Sequence, residues 1–245
     1  MSQKSICIAT RVVGMGNIVF FTGAGMSADS GLETYRDKET GLWENVDPNA
    51  LASIDSWAKD PEPMFAHYTW RSIVSNSVEP NAGHQAIGAA HLPVITQNID
   101  NLHERGGSEE VVHLHGSLFK WKCTICGRPY KYTLPEWTEP RERLAPPECP
   151  LCHNRIRPEV TWFGEALPEQ AWNRAVELLQ DCDTLVIVGT SGTVQPAASL
   201  PLVALDNGAR LYEVSPQPTT LTPLVHEYIS ATAATGVPAL LEKLL

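Results

Sequence analysis

The sequence predicts an α/β fold: a parallel sheet with helices on both faces, and a smaller lobe of helices and cysteine-rich loops. Three observations predict it. Short apolar runs rich in β-branched residues recur, stretches of helical character separate most of them, and two segments break the alternation. Strands that alternate with helices favour a parallel sheet that is buried on both faces.

Five apolar runs have the length and composition of buried strands. They are the segments 17–22, 93–96, 111–115, 184–189 and 210–214. The clearest helix covers residues 168–180. There, Pro168 suits a first helical position, and Ala171, Ala175, Leu178 and Leu179 form an apolar stripe.

The smaller lobe is predicted from the two segments that break the alternation. Residues 36–84 contain no convincing strand, and residues 117–160 carry two cysteine pairs around a proline-rich spacer. We interpret the chain as a single domain, 1–245, and these segments as its smaller lobe. The larger lobe then comprises residues 1–35, 85–116 and 161–245. Ligands of open α/β sheets bind beyond the carboxyl ends of the strands, so the smaller lobe would form one wall of that crevice.

Composition and charge narrow the class of protein. The chain has 245 residues, 43% hydrophobic and 19% charged, as in an ordinary globular protein. Its net charge of −10 argues against sequence-independent binding of nucleic acid. The first residues lack the apolar core of a signal peptide, and no run reaches the length of a membrane span. We therefore expect a cytoplasmic protein with neither nucleic acid nor membrane among its partners.

Four of the six cysteines form two C-x-x-C pairs, which predict a structural zinc ion, Zn²⁺. The pairs are Cys123 with Cys126 and Cys149 with Cys152. Each pair can form a tight knuckle, and two knuckles supply four thiolates for a tetrahedral site. Four thiolates leave no coordination position for water, so the metal is expected to be structural. His153 is an alternative ligand that the site does not need.

A glycine-rich turn follows the first predicted strand and has the pattern of a dinucleotide site. Gly23, Ala24, Gly25 and Ala28 fit G-x-G-x-x-A, in which glycines let the backbone approach a pyrophosphate. The alternative is a plain tight turn. The polar segment 32–45 follows in place of a second strand that ends in a ribose-binding acid. That departure makes a dehydrogenase the least favoured dinucleotide enzyme.

Polar residues follow three other predicted strands. Gly189, Thr190 and Ser191 end one of them and can line a phosphate or ribose, although an ordinary loop and cap is the alternative.

Gln97, Asn98 and Asp100 come directly after a second strand, and His115 ends a third. Active sites of α/β proteins are assembled at these strand ends. Histidine suits general-base work near neutral pH. We favour His115 over His113 because it lies nearer the strand end and Gly116 leaves room beside it.

Tyr68 and Arg71 are spaced three residues apart in a segment that has helical character, so they share one helix face. One interpretation is an aromatic ring packed on an arginine stem at the surface. The other is a pocket for a carboxylate, which a guanidinium can bind through two parallel hydrogen bonds.

Taken together, the motifs resemble those of the sirtuin family, in order and nearly from end to end. They are "GAGMSADSGLETYR", "TQNIDNLHERGG", "LHGS", the two C-x-x-C pairs, "WFGEALP" and "GTSGTVQPAA". The resemblance implies an NAD-dependent protein-lysine deacylase with a Rossmann-like large domain and a zinc-bearing small domain. In the implied reaction the acyl oxygen attacks C1′ of the nicotinamide ribose, with His115 as general base on the ribose hydroxyls. Nicotinamide and O-acyl-ADP-ribose are released.

The resemblance also implies a set of residues that bind NAD. It comprises Gly23, Ala24, Gly25, Ser27, Tyr35, Arg36, Gln97, Asn98, Asp100, Gly189, Thr190, Ser191 and Ser215. Asn98 and Asp100 would shape the nicotinamide and ribose pocket. The chain has Tyr35 where the family commonly has phenylalanine, and Ser215 where it usually has the asparagine that contacts the adenosine ribose.

The implied substrates are acyl-lysine proteins. Residues 160–165 would pair with an extended substrate peptide by strand addition, and Phe163 would form a wall of the acyl-lysine tunnel. A Tyr-x-x-Arg pair at this place marks family members that accept acidic acyl groups, so succinyl and malonyl are expected to be preferred over acetyl. The implied substrate-binding set is Tyr68, Arg71, Val160, Phe163, Gly164 and Glu165.

Two other functions remain open at this point. One is mono-ADP-ribosyl transfer, which uses the same cleavage of NAD with a different acceptor. The other is a non-catalytic module that binds NAD and zinc, against which His115 argues.

Overall fold

The computed structural model describes residues 16–32 and 48–245. The strands in these ranges are β1 (Ile18–Thr22), β2 (Val94–Thr96), β3 (Val111–His113), β4 (Gly116–Cys123), β5 (Pro129–Tyr130), β6 (Ile156–Val160), β7 (Thr184–Val188), β8 (Arg210–Val214) and β9 (Glu227–Ile229). The helices are α1 (Gly25–Ala28), α2 (Pro48–Leu51), α3 (Ile54–Lys59), α4 (Pro61–Ser77), α5 (Ala82–Ala89), α6 (Leu102–Arg105), α7 (Glu169–Gln180), α8 (Leu200–Asp206) and α9 (Ala233–Leu244).

The main sheet has six parallel strands in the order β3-β2-β1-β7-β8-β9, which confirms the predicted fold class. From β1 the chain first builds outward through β2 and β3, and β7, β8 and β9 then extend the sheet in the other direction. The direction of building therefore reverses between β1 and β7. In open α/β sheets the crevice at such a reversal is where ligands bind.

Each of the five predicted strands corresponds to a strand of this sheet, with differences at the ends. β3 stops at His113, and the chain turns through residues 114 and 115 into β4. Pro168 precedes α7 as its cap residue and is not its first helical residue. The sequence does not predict β9, because this three-residue edge strand is only half-buried and lacks an apolar run.

Alternating side chains of β1 pack into two apolar cores, one on each face of the sheet. Val19 and Phe21 point into a cluster that includes Leu179 of α7 and Leu200 of α8. Ile18 and Phe20 point into the opposite cluster with Ile87 of α5 and Val237 of α9. The strand is buried on both faces, which explains its continuous apolar sequence.

A third core, rich in aromatic side chains, lies under the antiparallel sheet β5-β4-β6. Trp57, Phe65, Tyr68, Trp121 and Trp162 are among its buried members. Helix α4 contacts α2, α3, β4 and β6, so this core joins the helices before residue 78 to the cysteine-bearing sheet. The proposed lobe boundary at 84/85 falls inside α5, which packs on α9. No helix of the described ranges is both long and apolar enough to cross a membrane.

Candidate functional site

The glycine turn after β1 is pressed against the loop after β7. Gly23 N–H donates to Val188 O, and Gly25 N–H donates to Gly189 O, each at 2.9 Å. A Cβ added at Gly25 would lie 2.7 Å from Gly189 Cα, and one at Gly23 would lie 2.8 Å from Thr190 Cβ. Gly189 itself has φ of +60°. The two loops therefore pack backbone to backbone, which requires glycine at these positions.

Ser27, Asn98 and Asp100 form one buried hydrogen-bonded group at the ends of β1 and β2. Asn98 Nδ2 donates to Ser27 Oγ at 3.1 Å, and Ser27 Oγ donates to Asp100 Oδ2 at 2.9 Å. Asp100 Oδ1 accepts the Leu102 N–H at 3.0 Å. Burial raises the pKa of Asp100, while the hydrogen bonds from Leu102 and Ser27 favour the carboxylate. The network holds Asn98 and Asp100 in fixed orientations.

His115 is oriented as a neutral base. Its Nδ1 lies 2.9 Å from Gln97 O, and a carbonyl can only accept, so Nδ1 carries the proton and Nε2 the lone pair. Burial lowers the pKa of His115, against the opposing effect of the Gln97 carbonyl. The imidazole is therefore neutral at pH 7, with Nε2 able to take up a proton.

His113 has the opposite character. Its Nδ1 lies 3.0 Å from Asn98 O and its Nε2 lies 2.8 Å from Glu104 Oε1, so both nitrogens face acceptors and act as donors. Burial opposes the charged ring, but Glu104 and the Asn98 carbonyl outweigh it and raise the pKa of His113. A ring with both nitrogens engaged cannot serve as the base.

Gly116, which the sequence relates to the space beside His115, lies where β4 and β6 approach each other closely. Its φ is +77°, and a Cβ there would lie 1.9 Å from Glu159 O. The glycine therefore permits the close approach of β4 to β6.

The remaining candidates for NAD binding lie at neighbouring strand ends. Gln97 Nε2 donates to Thr190 Oγ1 at 2.8 Å, which links the loops after β2 and β7. Ser191 Oγ lies 2.8 Å from Thr193 Oγ1. Ser215 is buried directly after β8, and its carbonyl accepts the Tyr228 hydroxyl at 3.0 Å. Tyr35 and Arg36 lie outside the described residues.

Tyr68 and Arg71 stand one turn apart on α4. Tyr68 is 3% exposed, and its ring centroid lies 5.7 Å from that of Trp162, so it is not a surface residue. Arg71 is half-buried. Burial lowers the pKa of the neighbouring His67 well below its ordinary value, and the positive charge of Arg71 lowers it further.

The segment 160–165 is largely bonded within the chain. Phe163 N–H donates to Ala52 O at 2.8 Å, and Phe163 O accepts the Ile54 N–H at 3.1 Å. Phe163 as a whole is 46% exposed. In this conformation its backbone N–H and C=O are paired with residues 52 and 54, and pairing of 160–165 with a substrate peptide stays a prediction.

Glu165, another member of the predicted substrate-binding set, is hydrogen-bonded within the chain. Its carboxylate receives both terminal nitrogens of the buried Arg157, at 2.5 and 2.8 Å, and the Trp162 N–H at 2.8 Å. Arg157 in turn stacks 3.5 Å above the Trp162 ring centroid. The glutamate thus fixes Trp162. Val160 belongs to β6, paired with Gly116, and Gly164 has φ of +88°.

The four predicted zinc ligands converge. The sulfur atoms of Cys123, Cys126, Cys149 and Cys152 all lie within 4.8 Å of one another. A tetrahedral zinc–thiolate site places sulfurs about 3.8 Å apart, and the Cys126–Cys149 Sγ distance is 3.8 Å. The His153 side chain is 79% exposed and faces Glu148, which excludes it as a ligand in this conformation. The donor set fits a structural zinc ion.

A buried polar layer that the sequence does not predict lies behind the site. Thr22 Oγ1 donates to Thr96 Oγ1 at 2.8 Å, and Thr96 Oγ1 accepts the Asn98 N–H at 3.0 Å. His103 Nε2 lies 3.0 Å from Thr22 Oγ1, and its ring makes an edge-to-face contact with His84, with centroids 4.8 Å apart. The only signal in the sequence is the density of polar residues in "TQNIDNLH".

Comparison with known proteins places these features in a family context. The model of the Sir2 family matches residues 23–196. NAD-dependent protein deacylase 2 of Corynebacterium efficiens is 54% identical over 252 residues, which cover 100% of this chain and 99% of the relative. An NAD-dependent protein deacylase of Mycobacterium tuberculosis H37Rv is 47% identical over 231 residues, with 93% and 97% covered.

Solved structures agree with the sequence comparison. A complex of a Sir2 homologue with NAD superposes with a TM-score of 0.84 at 38% identity, covering 93% of this chain and 89% of that one. A complex of Sir2 with a p53 peptide and NAD⁺ gives a TM-score of 0.77 at 27% identity, with 93% and 92% covered.

Proposed function

Since the chain belongs to the Sir2 family and is an NAD-dependent protein deacylase with a structural zinc ion, we propose that its acyl-lysine pocket prefers acidic acyl groups, succinyl and malonyl, over acetyl. Tyr68 and Arg71 would be the residues that select them. The preference follows from the charge that the pocket presents.

The observation that carries this proposal is that the half-buried Arg71 has no carboxylate partner among the residues that the structure describes. Among the described residues, the half-buried Arg105 and the buried Arg157 each face a glutamate, at 3.1 and 2.5 Å. Within residues 16–32 and 48–245, no glutamate or aspartate lies within ion-pair distance of Arg71. A partly desolvated guanidinium is stabilised by an anion, and a substrate carboxylate would supply one.

The surroundings of Arg71 support the same preference. Tyr68, on the same helix face, packs on Trp162, and Trp162 directly precedes the exposed ring of Phe163. An acyl-lysine that passes Phe163 would therefore meet α4 at its far end. A succinyl or malonyl carboxylate reaching that depth could bind the guanidinium through two hydrogen bonds.

The expected energy of this contact decides how large the preference is. A hydrogen bond to a charged group contributes about 1.5–3 kcal/mol. This range corresponds to roughly ten- to a hundredfold in kcat/KM. An acetyl group makes no such contact and leaves the guanidinium unpaired, so deacetylation should be weaker.

We also propose roles for the residues at the strand ends. Gly23, Gly25 and Gly189 would admit the pyrophosphate of NAD, and Thr190, Ser191 and Ser215 would line its adenosine side. When bound, NAD supplies an electrophilic ribose carbon with nicotinamide as leaving group. Asn98 and Asp100 would orient that end, and His115 would accept a proton at Nε2. The neutral, Nδ1-protonated state of His115 supports this role.

The test is a comparison of acyl peptides with wild type and Arg71→Met. Lysine peptides carrying succinyl, malonyl or acetyl groups are assayed with and without NAD. Wild type is expected to process succinyl- and malonyl-lysine about ten- to a hundredfold better than acetyl-lysine in kcat/KM. Arg71→Met should remove most desuccinylation while it spares or raises deacetylation, because methionine keeps the stem and loses the charge.

Arg174→Met is the matched control. Arg174 lies on α7 and is ion-paired with Glu177 of the same helix and with Glu110, which precedes β3. It lies away from the proposed pocket, so its loss should leave the acyl preference unchanged. Equal loss of all activities in Arg71→Met would assign Arg71 a structural role. A wild-type enzyme inactive on succinyl-lysine would refute the preference. Mass spectrometry of the peptide separates acyl loss from ADP-ribosylation of an acceptor.

A further inference from the structure

Glu213 is a buried carboxylate that the reaction described above does not use. It belongs to β8 and is 1% exposed. It shares a strand face with Leu211, whose apolar cluster also contains Leu221. A carboxylate in such surroundings is costly unless hydrogen bonds satisfy it.

Two threonine hydroxyls from the following loop supply those hydrogen bonds. Thr222 Oγ1 donates to Glu213 Oε2 at 2.5 Å, and Thr219 Oγ1 donates to Glu213 Oε1. Thr222 Oγ1 also accepts the Thr219 N–H at 2.7 Å, and Thr219 Oγ1 accepts the Leu221 N–H at 3.1 Å. Each hydroxyl has one hydrogen, which it donates to the carboxylate. The carboxylate therefore fixes the orientation of both hydroxyls, and their oxygen lone pairs accept hydrogen bonds from the loop backbone.

The loop of residues 219–222 supports the segment that follows β7. Thr220 Oγ1 lies 2.9 Å from Ser191 O and 3.0 Å from Gly192 O. Gly192 has φ of +67°, and a Cβ there would lie 2.6 Å from Leu221 Cγ. Ser191 and Gly192 therefore rest on Thr220 and Leu221, which the Glu213 contacts hold in place.

We infer that Glu213 is a positioning residue for the adenosine side of the NAD site. It acts through Thr219 and Thr222 on the loop that carries Ser191, and it stands two residues before Ser215, which directly follows β8. The inference rests on the proposed cofactor roles of Ser191 and Ser215, and it is separate from the acyl preference. His115 and Asn98 follow strands on the other side of β1. Loss of Glu213 therefore weakens binding of NAD and leaves the chemical step unchanged.

Glu213→Gln tests this inference. The glutamine amide presents a donor to one of the two hydroxyls, so one buried O–H loses its acceptor and the loop loses its fixed turn. The Kd for ADP-ribose, measured by calorimetry without acyl substrate, should rise about tenfold, and the KM for NAD should rise with it. The kcat should stay within about twofold of wild type, since the groups around His115 are untouched.

Two further variants complete the test. Thr222→Val should raise the Kd in the same direction, and combining it with Glu213→Gln should add little, because both remove one shared network. Glu227→Gln, on the adjacent β9 and ion-paired with Lys243 at the surface, should leave the Kd unchanged. If Glu213→Gln does not fold, Thr222→Val alone decides the question.

An unchanged Kd for ADP-ribose in a folded Glu213→Gln or Thr222→Val protein would overturn the inference. A lower melting temperature with unchanged Kd would do the same, since it would make Glu213 purely structural. A wild-type protein that did not bind ADP-ribose would instead refute the proposed cofactor site as a whole. Acyl selectivity does not enter any of these readouts.

Discussion

His113 and His115 lie two residues apart, yet their surroundings shift their pKa values in opposite directions. His113 faces a carbonyl and a carboxylate, and its pKa is raised. His115 faces a single carbonyl, and burial lowers its pKa. Sequence position favours His115 only through its place near the strand end, whereas the partner atoms supply the chemical reason.

Replacing His115 with alanine should abolish most of the turnover and keep the fold. Loss of one general base typically lowers the rate about 10²–10⁴-fold. The measurement is kcat on a succinyl-lysine peptide, with circular dichroism and zinc content as checks of folding. His91→Ala is the control, because the His91 side chain is 70% exposed and lies 3.5 Å from the exposed Glu109. Near wild-type turnover of His115→Ala would show that another group is the base.

At the scale of single elements, the zinc module shows how a local pattern becomes a rigid unit. Each C-x-x-C pair closes a knuckle: Gly127 N–H donates to Cys123 O at 3.2 Å, and His153 N–H donates to Cys149 O at 2.9 Å. The sulfurs of Cys123 and Cys149 belong to the same aromatic core as Trp121 and Tyr68. The zinc site and helix α4, which carries Tyr68, therefore share one apolar core.

Cys149→Ser should lose zinc and destabilise the protein. Structural zinc contributes about 10–16 kcal/mol in zinc-finger peptides, against about 5–15 kcal/mol for the whole stability of a typical domain. The variant should therefore melt at a lower temperature or be insoluble, which a thermal melt with metal analysis measures. Cys182→Ala, at a buried cysteine far from the cluster in sequence, should retain one zinc ion per chain. A metal-free Cys149→Ser protein as stable as wild type would contradict a structural role.

At the scale of the whole molecule, the edge-to-face contact between the rings of His84 and His103 joins three elements behind the site. His84 comes from α5 and His103 from α6, and His103 Nε2 contacts Thr22 at the end of β1. Both rings are fully buried. Burial lowers the pKa of His84 to about 4, and it lowers the pKa of His103 well below the ordinary value, with the charges of His84 and His113 adding to the effect.

These histidines predict loss of stability in acid. The folded-state pKa of His84 lies below its unfolded value, so the unfolded chain binds the proton more readily between pH 6.5 and about 4. The free energy of unfolding therefore has no penalty from His84 above pH 6.5 and decreases as the pH falls from 6.5 to about 4. A shift from 6.5 to about 4 corresponds to roughly 3 kcal/mol in the free energy of unfolding.

Urea titrations at pH 7.5, 6 and 5 measure this dependence, with zinc content followed in parallel. His84→Asn should flatten the slope below pH 6.5, because asparagine has no proton to take up. Asp100, whose pKa is raised by burial, acts in the opposite direction and stays in both proteins. Equal slopes for His84→Asn and wild type would assign the acid sensitivity to other groups, the zinc thiolates first.

Much of the fold and part of the site could be predicted from local patterns. The five apolar runs, the glycine turn and the cysteine spacing each rest on consecutive or regularly spaced residues, and backbone periodicity and ligand geometry act on that scale. The half-buried edge strand β9 carries no apolar run, so it becomes a strand only by pairing with β8.

The sequence alone determined the family, the order of the main strands along the chain and the four sulfur ligands. The tertiary structure decided which histidine is neutral, which groups satisfy Glu213, and that the Phe163 backbone is already paired with residues 52–54. The physical reason is that charge state and hydrogen-bond satisfaction depend on burial and on partners far away in sequence. Thr22 and Thr96, 74 residues apart, meet only because β1 and β2 pair in register.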